Sequence, residues 1–260
     1  MGCYPLFSCL DWSGLKADVD ELAADLISVS LVTDPFGDYD RQALERCFVD
    51  TVVPYKRHFV ADLRLPARTF VTRHHHYYAQ RARALVELQR SDQPSQLLDE
   101  WLSLYDHLIA RHGLSGIKAF SRAAFGVQLT VPGVVMLLAT HAGETVGAHL
   151  WYVQDDVVHS HLAATSALGY DLNVSYALYL FALETFASQA VWINFGAGAG
   201  VTSDGMDGLS RFKRGWATGT RPTYFCGRIF DRAKYADALT ARGLLDSADY
   251  FPAYRKGEFA

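Results

Sequence analysis

The chain has 260 residues, 50% of them hydrophobic, and a formal net charge of −4. That length and apolar content can bury one large core or two modest lobes. The acidic balance excludes a surface that grips nucleic acid through overall positive charge, leaving only a local basic patch for that role, so no DNA partner is expected. The four cysteines Cys3, Cys9, Cys47 and Cys226 have no C-x-x-C spacing and form no compact set, which argues against a disulfide framework or a zinc site and fits a reducing cytoplasm. No run reaches the ~18 uninterrupted apolar residues that a membrane span needs, and MGCYPLFSCLDW lacks a basic leader. Met1-Gly2-Cys3 opens like a lipidation signal but has Leu6 where serine or threonine belongs. The expectation is a soluble cytoplasmic protein, monomer or homodimer.

In chain order, residues 1–84 read as a small α/β lobe: a helix, a strand centred on residues 29–32, a turn at Asp34-Pro35-Phe36-Gly37, a second helix, and one or two strands within residues 52–63. RTFVTRHHHYYAQRARALVELQR then brings five arginines against one acid, Glu87. Its pattern predicts a helix followed by a strand over residues 86–90. His74, His75 and His76 are consecutive, and side chains about 100° apart on a helix cannot converge on one ion, so no metal site is expected. The arginines have two readings: a solvated helix face, or a phosphate-binding face built from Arg73, His74, Arg81 and Arg83. SQLLDEWLSLYDHLIARHG predicts an amphipathic helix capped by Ser95 and ended by Gly113. KAFSRAAFGVQL predicts a shorter one ending before Pro132.

Residues 134–230 carry the clearest architecture. Three β-branched runs separated by AGE and QDD predict an antiparallel meander. SYALYLFALETFA, with Asn173 or Ser175 as its cap, predicts a helix apolar on nearly every side and therefore buried against the sheet. VWINFGAG predicts a strand, residues 209–213 a short amphipathic segment, and PTYFCGRIF the last strand. The whole is an α/β (α+β) arrangement: a mixed, mostly antiparallel sheet of about six or seven strands flanked by helices.

Histidines supply the candidate chemistry. If Gln154-Asp155-Asp156 form a three-residue loop, His149 lies opposite His161 and Trp151 opposite His159, gathering imidazoles on one face. A two-residue loop slips the register and divides them between faces. A neutral imidazole suits proton removal from an amine; the alternative is a hydrogen-bonded core histidine. Gly196, Gly198 and Gly200 form G-x-G-x-G without the rest of a dinucleotide fingerprint, and read as a loop permitting close backbone approach to a ligand.

The order meander, helix, strand, helix, strand resembles the catalytic core of the GNAT acyltransferase superfamily. GETVGAHLWYVQDDVVHSHLAAT, and the strand ending in Gly followed by LSRFKRGW, are similar to the Fem-type branch, which includes peptidoglycan aminoacyltransferases. In that branch the strand precedes a helix carrying Phe-Lys and then Gly-aromatic, here Phe212-Lys213 and Gly215-Trp216. The resemblance covers roughly residues 85–230. The arginine/glutamine-x-x-Gly-x-Gly pyrophosphate loop of ordinary acetyl-CoA enzymes is replaced by SALGYDLN, which leaves the donor open.

The resemblance implies a degenerate first half in residues 1–84, a catalytic domain in 85–232, and a C-terminal helix and tail in 233–260. It implies N-acyl transfer in a ternary complex, with Leu162, Ala163 and Ala164 holding the donor and Tyr170, Asn173 and Ser175 at the helix start that meets its phosphates. Arg73 and Arg81 would add charge. His149, His161 or Tyr170 would serve as base, and Lys213 would stabilise an oxyanion or phosphate. Acyl-CoA is the first donor, aminoacyl-tRNA the second, and the acceptor a small-molecule or peptide amine. A non-catalytic binding module is the rival from another class.

Overall fold

Alternating apolar runs become strands, and the runs of period 3.6 become helices, in a computed structural model that describes residues 6–116, 119–198, 207–244 and 250–258. Cys3, the Met1-Gly2-Cys3 start and Gly200 lie outside the described residues. The chain divides into residues 58–220 and residues 1–57 together with 221–260, divisions that differ from those expected at 84 and 232.

In the unit of residues 1–57 and 221–260, β1 (Ser28–Val32) pairs antiparallel with β8 (Gly219–Ile229), from Ser28↔Ile229 to Val32↔Phe225. Leu15 and Val19 of α1 (Leu15–Glu21) and Leu44, Cys47 and Phe48 of and beside α2 (Arg41–Cys47) close a core with Val29, Leu31 and Cys226. β2 (Thr51–Asp62) is one long strand that leaves this unit and enters the other.

In residues 58–220 the strand order is β2-β7-β6-β5-β4-β3, with β3 at Glu87–Ser91, β4 at Val134–His141, β5 at Glu144–Gln154, β6 at Val157–Thr165 and β7 at Trp192–Gly196. Every pair is antiparallel except β6 with β7, so the sheet is mixed and mostly antiparallel. α7 (Val174–Phe186) lies on one face with eight of its side chains buried, among them Leu178, Tyr179, Leu183 and Phe186. Fully burying such side chains contributes about 1.5–3 kcal/mol each, which explains why a helix apolar all round is stable here. α3 (Arg73–Arg83) packs beside α7 through the Arg83–Glu184 ion pair and the His75 and Tyr176 rings. α4 (Leu98–His112) and α5 (Arg122–Gln128) cover the other face with Trp101, Leu104, Tyr105 and Phe125.

Three local expectations are corrected. Ser95 does not cap α4: Pro94 starts a 3-10 turn, and Leu97 stands at the cap without a side-chain bond, although Gly113 ends the helix in the left-handed region at φ 59° as expected. Asn173 precedes α7 at φ 60° with its amide donating to the Asp171 carbonyl, so neither it nor Ser175 caps the helix by side chain. SALGYDLN contains its own short helix, α6 (Ala167–Asp171), and Ser166 caps that one through Gly169 N.

Candidate active site

β6 and β7 hydrogen-bond only from Val157↔Trp192 to His159↔Asn194. Beyond that rung β6 continues to Thr165, paired with β5 alone: His149↔Ala163, Ala148↔Ala164. Two parallel strands that part at their C-terminal ends leave the β7-facing backbone groups of residues 160–165 pointing into an opening. Such groups need partners, and an extended substrate can supply them. Leu162, Ala163 and Ala164, the residues expected to hold the donor, lie past this rung and pair with β5 alone. At its far end Thr165 Oγ lies 3.5 Å from Ser175 Oγ in the first turn of α7.

The hairpin that precedes the opening settles the histidine register. Gln154 pairs with Val157, so the loop is the two residues Asp155-Asp156, with Asp155 at φ 51°. Aspartate tolerates that left-handed conformation, which makes the tighter turn accessible. A bulge follows between Leu150 and Trp151, pairing Leu150 with Leu162 and Trp151 with Ser160 and leaving His161 as the extra residue. The opposed pair His149–His161 is therefore corrected: the two rings occupy opposite faces. His149 points at α7, 5.1 Å from the Tyr179 ring, 1% exposed, with no hydrogen-bond partner on either ring nitrogen. Burial pushes its pKa down to about 3, so it is a neutral core residue. His161 points the other way, its Nε2 2.9 Å from Gln128 Oε1 and its ring 4.8 Å from Tyr152, and burial lowers its pKa to about 4.

His159 has a different neighbourhood. Ile193 and Phe195 face the α7 side, so Asn194 between them faces away. There its Nδ2 lies 3.1 Å from His159 Nδ1 and its Oδ1 3.1 Å from Nδ1 of His58 on β2, while Gly196 N donates to the same oxygen at 2.9 Å. These three polar side chains cross β2, β7 and β6 at the last shared rung. His58 is 8% exposed and Asn194 2%. Neither was among the expected site residues, although Asn194 is a lone polar residue in the apolar run VWINFG; His58 follows Lys56 and Arg57 and carries no such signal.

On the α7 side of the parting strands Tyr179 stacks on Phe195 at 5.3 Å, and burial pushes its phenol up to about 12. α8 (Gly208–Arg214) brings Phe212 and Lys213 to the same end. Lys213 is half-buried and its Nζ donates to the Ala197 carbonyl at 2.7 Å, just past β7, so the side chain turns toward the strand end and not into bulk solvent. The close approach at Gly198 comes from the chain itself: a Cβ there would meet Ser210 Oγ at 2.1 Å and Asp207, the residues that cap α8. Gly215 is needed for the same kind of reason, because a Cβ would sit 2.1 Å from the ring of His75. That ring is fixed by Thr72 Oγ1 at 2.7 Å and the Phe212 carbonyl at 2.9 Å.

The remaining expected residues are dispersed. Tyr170 on α6 lies under the Arg111 guanidinium, 3.9 Å from ring centroid to carbon. Arg73 and Arg81 line a groove of about 660 Å³ along α3 with Arg68, His76 and Tyr77, Arg81 lying over the Tyr77 ring. His74 turns to Tyr78 and Tyr176, the latter also in ring contact with His75, while His76 lines the groove along α3. Among the described residues no group of three metal-ligating side chains converges, and no helix is long and apolar enough to cross a membrane.

No protein-family model matches the sequence, and no curated protein does. Solved structures do. FemX superposes with TM-score 0.64 at 11% identity, over 87% of this chain and 80% of that one. The fold is GNAT-like and of the Fem type. A C-terminal domain of a putative lysylphosphatidylglycerol synthetase from Agrobacterium fabrum shares this Fem-type GNAT fold at TM-score 0.56 and 15% identity, over 77% and 67% of the two chains. L-PGS from Bacillus licheniformis shares it at TM-score 0.52 and 15% identity, over 68% of this chain and 61% of that one. At these identities the likeness is one of fold.

Proposed function

We propose that the chain is an N-acyltransferase: an amine attacks the carbonyl of a thioester or ester donor held between β6 and β7. The observation that carries the reading is the parting of this one parallel pair after His159↔Asn194, which exposes one edge of residues 160–165 next to the first turn of α7. A donor lying along that edge satisfies its strand-like backbone groups, with Lys213 at the β7 end supplying a cation to the developing oxyanion or a donor phosphate. Acyl-CoA fits as donor, because an extended amide-bearing arm matches an open strand edge.

The groove with Arg68, Arg73 and Arg81 favours a second donor, aminoacyl-tRNA, whose phosphates such a set would neutralise. The fold likeness to a lysylphosphatidylglycerol synthetase points the same way. The acceptor is a small-molecule or peptide amine. Calorimetry with CoA and acetyl-CoA, set beside filter retention of charged tRNA, separates the donors. Saturable binding of one donor and single-turnover acyl transfer from it to an amine support the reading. Binding of neither would leave a non-catalytic module of the same fold.

A further inference from the structure

Of the three consecutive histidines only His75 is buried, and both its ring nitrogens are bonded. A carbonyl can only accept, so Nε2, 2.9 Å from the Phe212 oxygen, carries the proton. Burial among Tyr176, Phe212 and Trp216 holds the ring's pKa below the ordinary imidazole value, so at neutral pH Nδ1 is bare and accepts from the Thr72 hydroxyl at 2.7 Å. The Thr72 oxygen in turn accepts from His75 N at 3.3 Å as the cap of α3. Thr72 N donates to the Gly215 carbonyl at 3.1 Å. The first turn of α3 thus holds the C-terminal end of α8 at two carbonyls, those of Phe212 and Gly215.

α8 has seven residues, too few to be stable alone, so its place is set by what grips it from outside. Lys213 follows the gripped Phe212 by one residue, and its Nζ reaches the Ala197 carbonyl at 2.7 Å. We propose that His75 is a positioning residue for Lys213: its Nε2–H pins the turn of α8 from which the ammonium reaches the end of β7. The proposal rests on the acyl-transfer reading, in which that ammonium faces the developing oxyanion or a donor phosphate. A shift of about 1 Å in a group that meets the reacting atoms can cost on the order of a hundredfold in rate, so a bond made well away from the donor can still be read in turnover. Leucine at position 75 fills much of the ring's space but gives the Phe212 carbonyl no donor there. Glutamine keeps a side-chain N–H that can reach it.

A double-mutant cycle separates positioning from general destabilisation. His75→Leu should lower kcat/KM at least fivefold, and His75→Gln should stay within threefold of the parent. Once Lys213 is gone its placement no longer matters, so His75→Leu with Lys213→Ala should match Lys213→Ala within twofold. Losses that multiply in the double variant, or full activity of His75→Leu, would overturn the positioning role. If His75→Leu does not fold, Thr72→Ala, which removes the hydroxyl that orients the ring, takes its place in the same cycle with the same criteria. A second measurement needs no turnover: brief acetylation with acetic anhydride, read by peptide mass spectrometry with the exposed Lys16 as internal standard. His75→Leu should raise the rate at Lys213 at least threefold relative to Lys16, and His75→Gln should leave it near the parent value. An unchanged rate in His75→Leu would overturn the link between the two residues. No turnover from either donor would remove the acyl-transfer reading, while the acetylation rates would still decide whether His75 places Lys213.

Discussion

His149 and His159 lie on adjacent strands of one sheet, yet one is a core side chain and the other belongs to a hydrogen-bonded set. On the α7 face His149 is wrapped by Trp151 and Tyr179 and neither ring nitrogen has a hydrogen-bond partner. On the opposite face His159 meets Asn194, which meets His58. The difference teaches that strand parity, and not the number of imidazoles, decides which can do chemistry. One face is sealed by the buried, mostly apolar helix α7. The other carries polar groups at the place where the sheet opens.

Deep packing on the sealed face sets the largest expected effect. Trp151 is fully buried between Phe186, Tyr179 and Phe195, so Trp151→Ala should cost about 3–5 kcal/mol by urea unfolding. A loss below 1 kcal/mol would show that the α7 face is not the rigid core. Gly215→Ala tests the corner where α8 meets α3. Its Cβ would overlap an imidazole held at both nitrogens, so the ring cannot move aside cheaply, and about 1–3 kcal/mol should be lost. Gly143→Ala is the matching control for space: nothing surrounds a Cβ there, and only the φ of 85° opposes it.

Lys213→Ala separates function from packing at the same corner. Its ammonium is anchored to the Ala197 carbonyl while Trp216 and Phe212 hold the backbone, so the melting temperature should change little. Turnover or donor affinity should fall at least tenfold, about 1.4 kcal/mol. A variant with full activity would detach Lys213 from the reaction.

Much of this architecture was legible because burial leaves a periodic record. The α7 pattern, the meander, the Gly113 stop and the Phe212-Lys213/Gly215-Trp216 signature all act locally in sequence. The pairing of His149 with His161 was not legible in the same way. It depends on whether QDD contributes three loop residues or two, and then on a bulge at Leu150/Trp151, and a single-residue slip inverts every side chain. Asn194 and His58 were harder still, because their partnership joins strands 136 residues apart. The usable signal was Asn194, a polar residue inside the otherwise apolar run VWINFG, whereas His58 follows Lys56 and Arg57 and does not stand out. Burying such a group costs stability unless it is bonded, so its presence points to a partner.

The smallest effect at neutral pH should come from His149→Leu, and its value lies in its acid dependence. His149 buries two ring nitrogens without partners, so an apolar residue of similar size should be neutral or slightly stabilising at pH 7. In the unfolded chain an imidazole takes its proton near pH 6.5, whereas burial delays this to about pH 3 in the folded protein. The unfolded state therefore binds more protons than the folded state between these values. Folding stability is at its full level above pH 6.5 and declines as the pH falls toward 3. His161, lowered to about 4, adds a decline of the same sign between pH 6.5 and 4. In urea titrations from pH 7.5 to 4.5, His149→Leu should show a shallower acid decline than the parent, with His161 and His75, both lowered by burial, contributing to what remains. Equal slopes in parent and variant would mean that His149 is solvated or bonded when folded, and would return it to the set of candidate bases from which its burial now removes it.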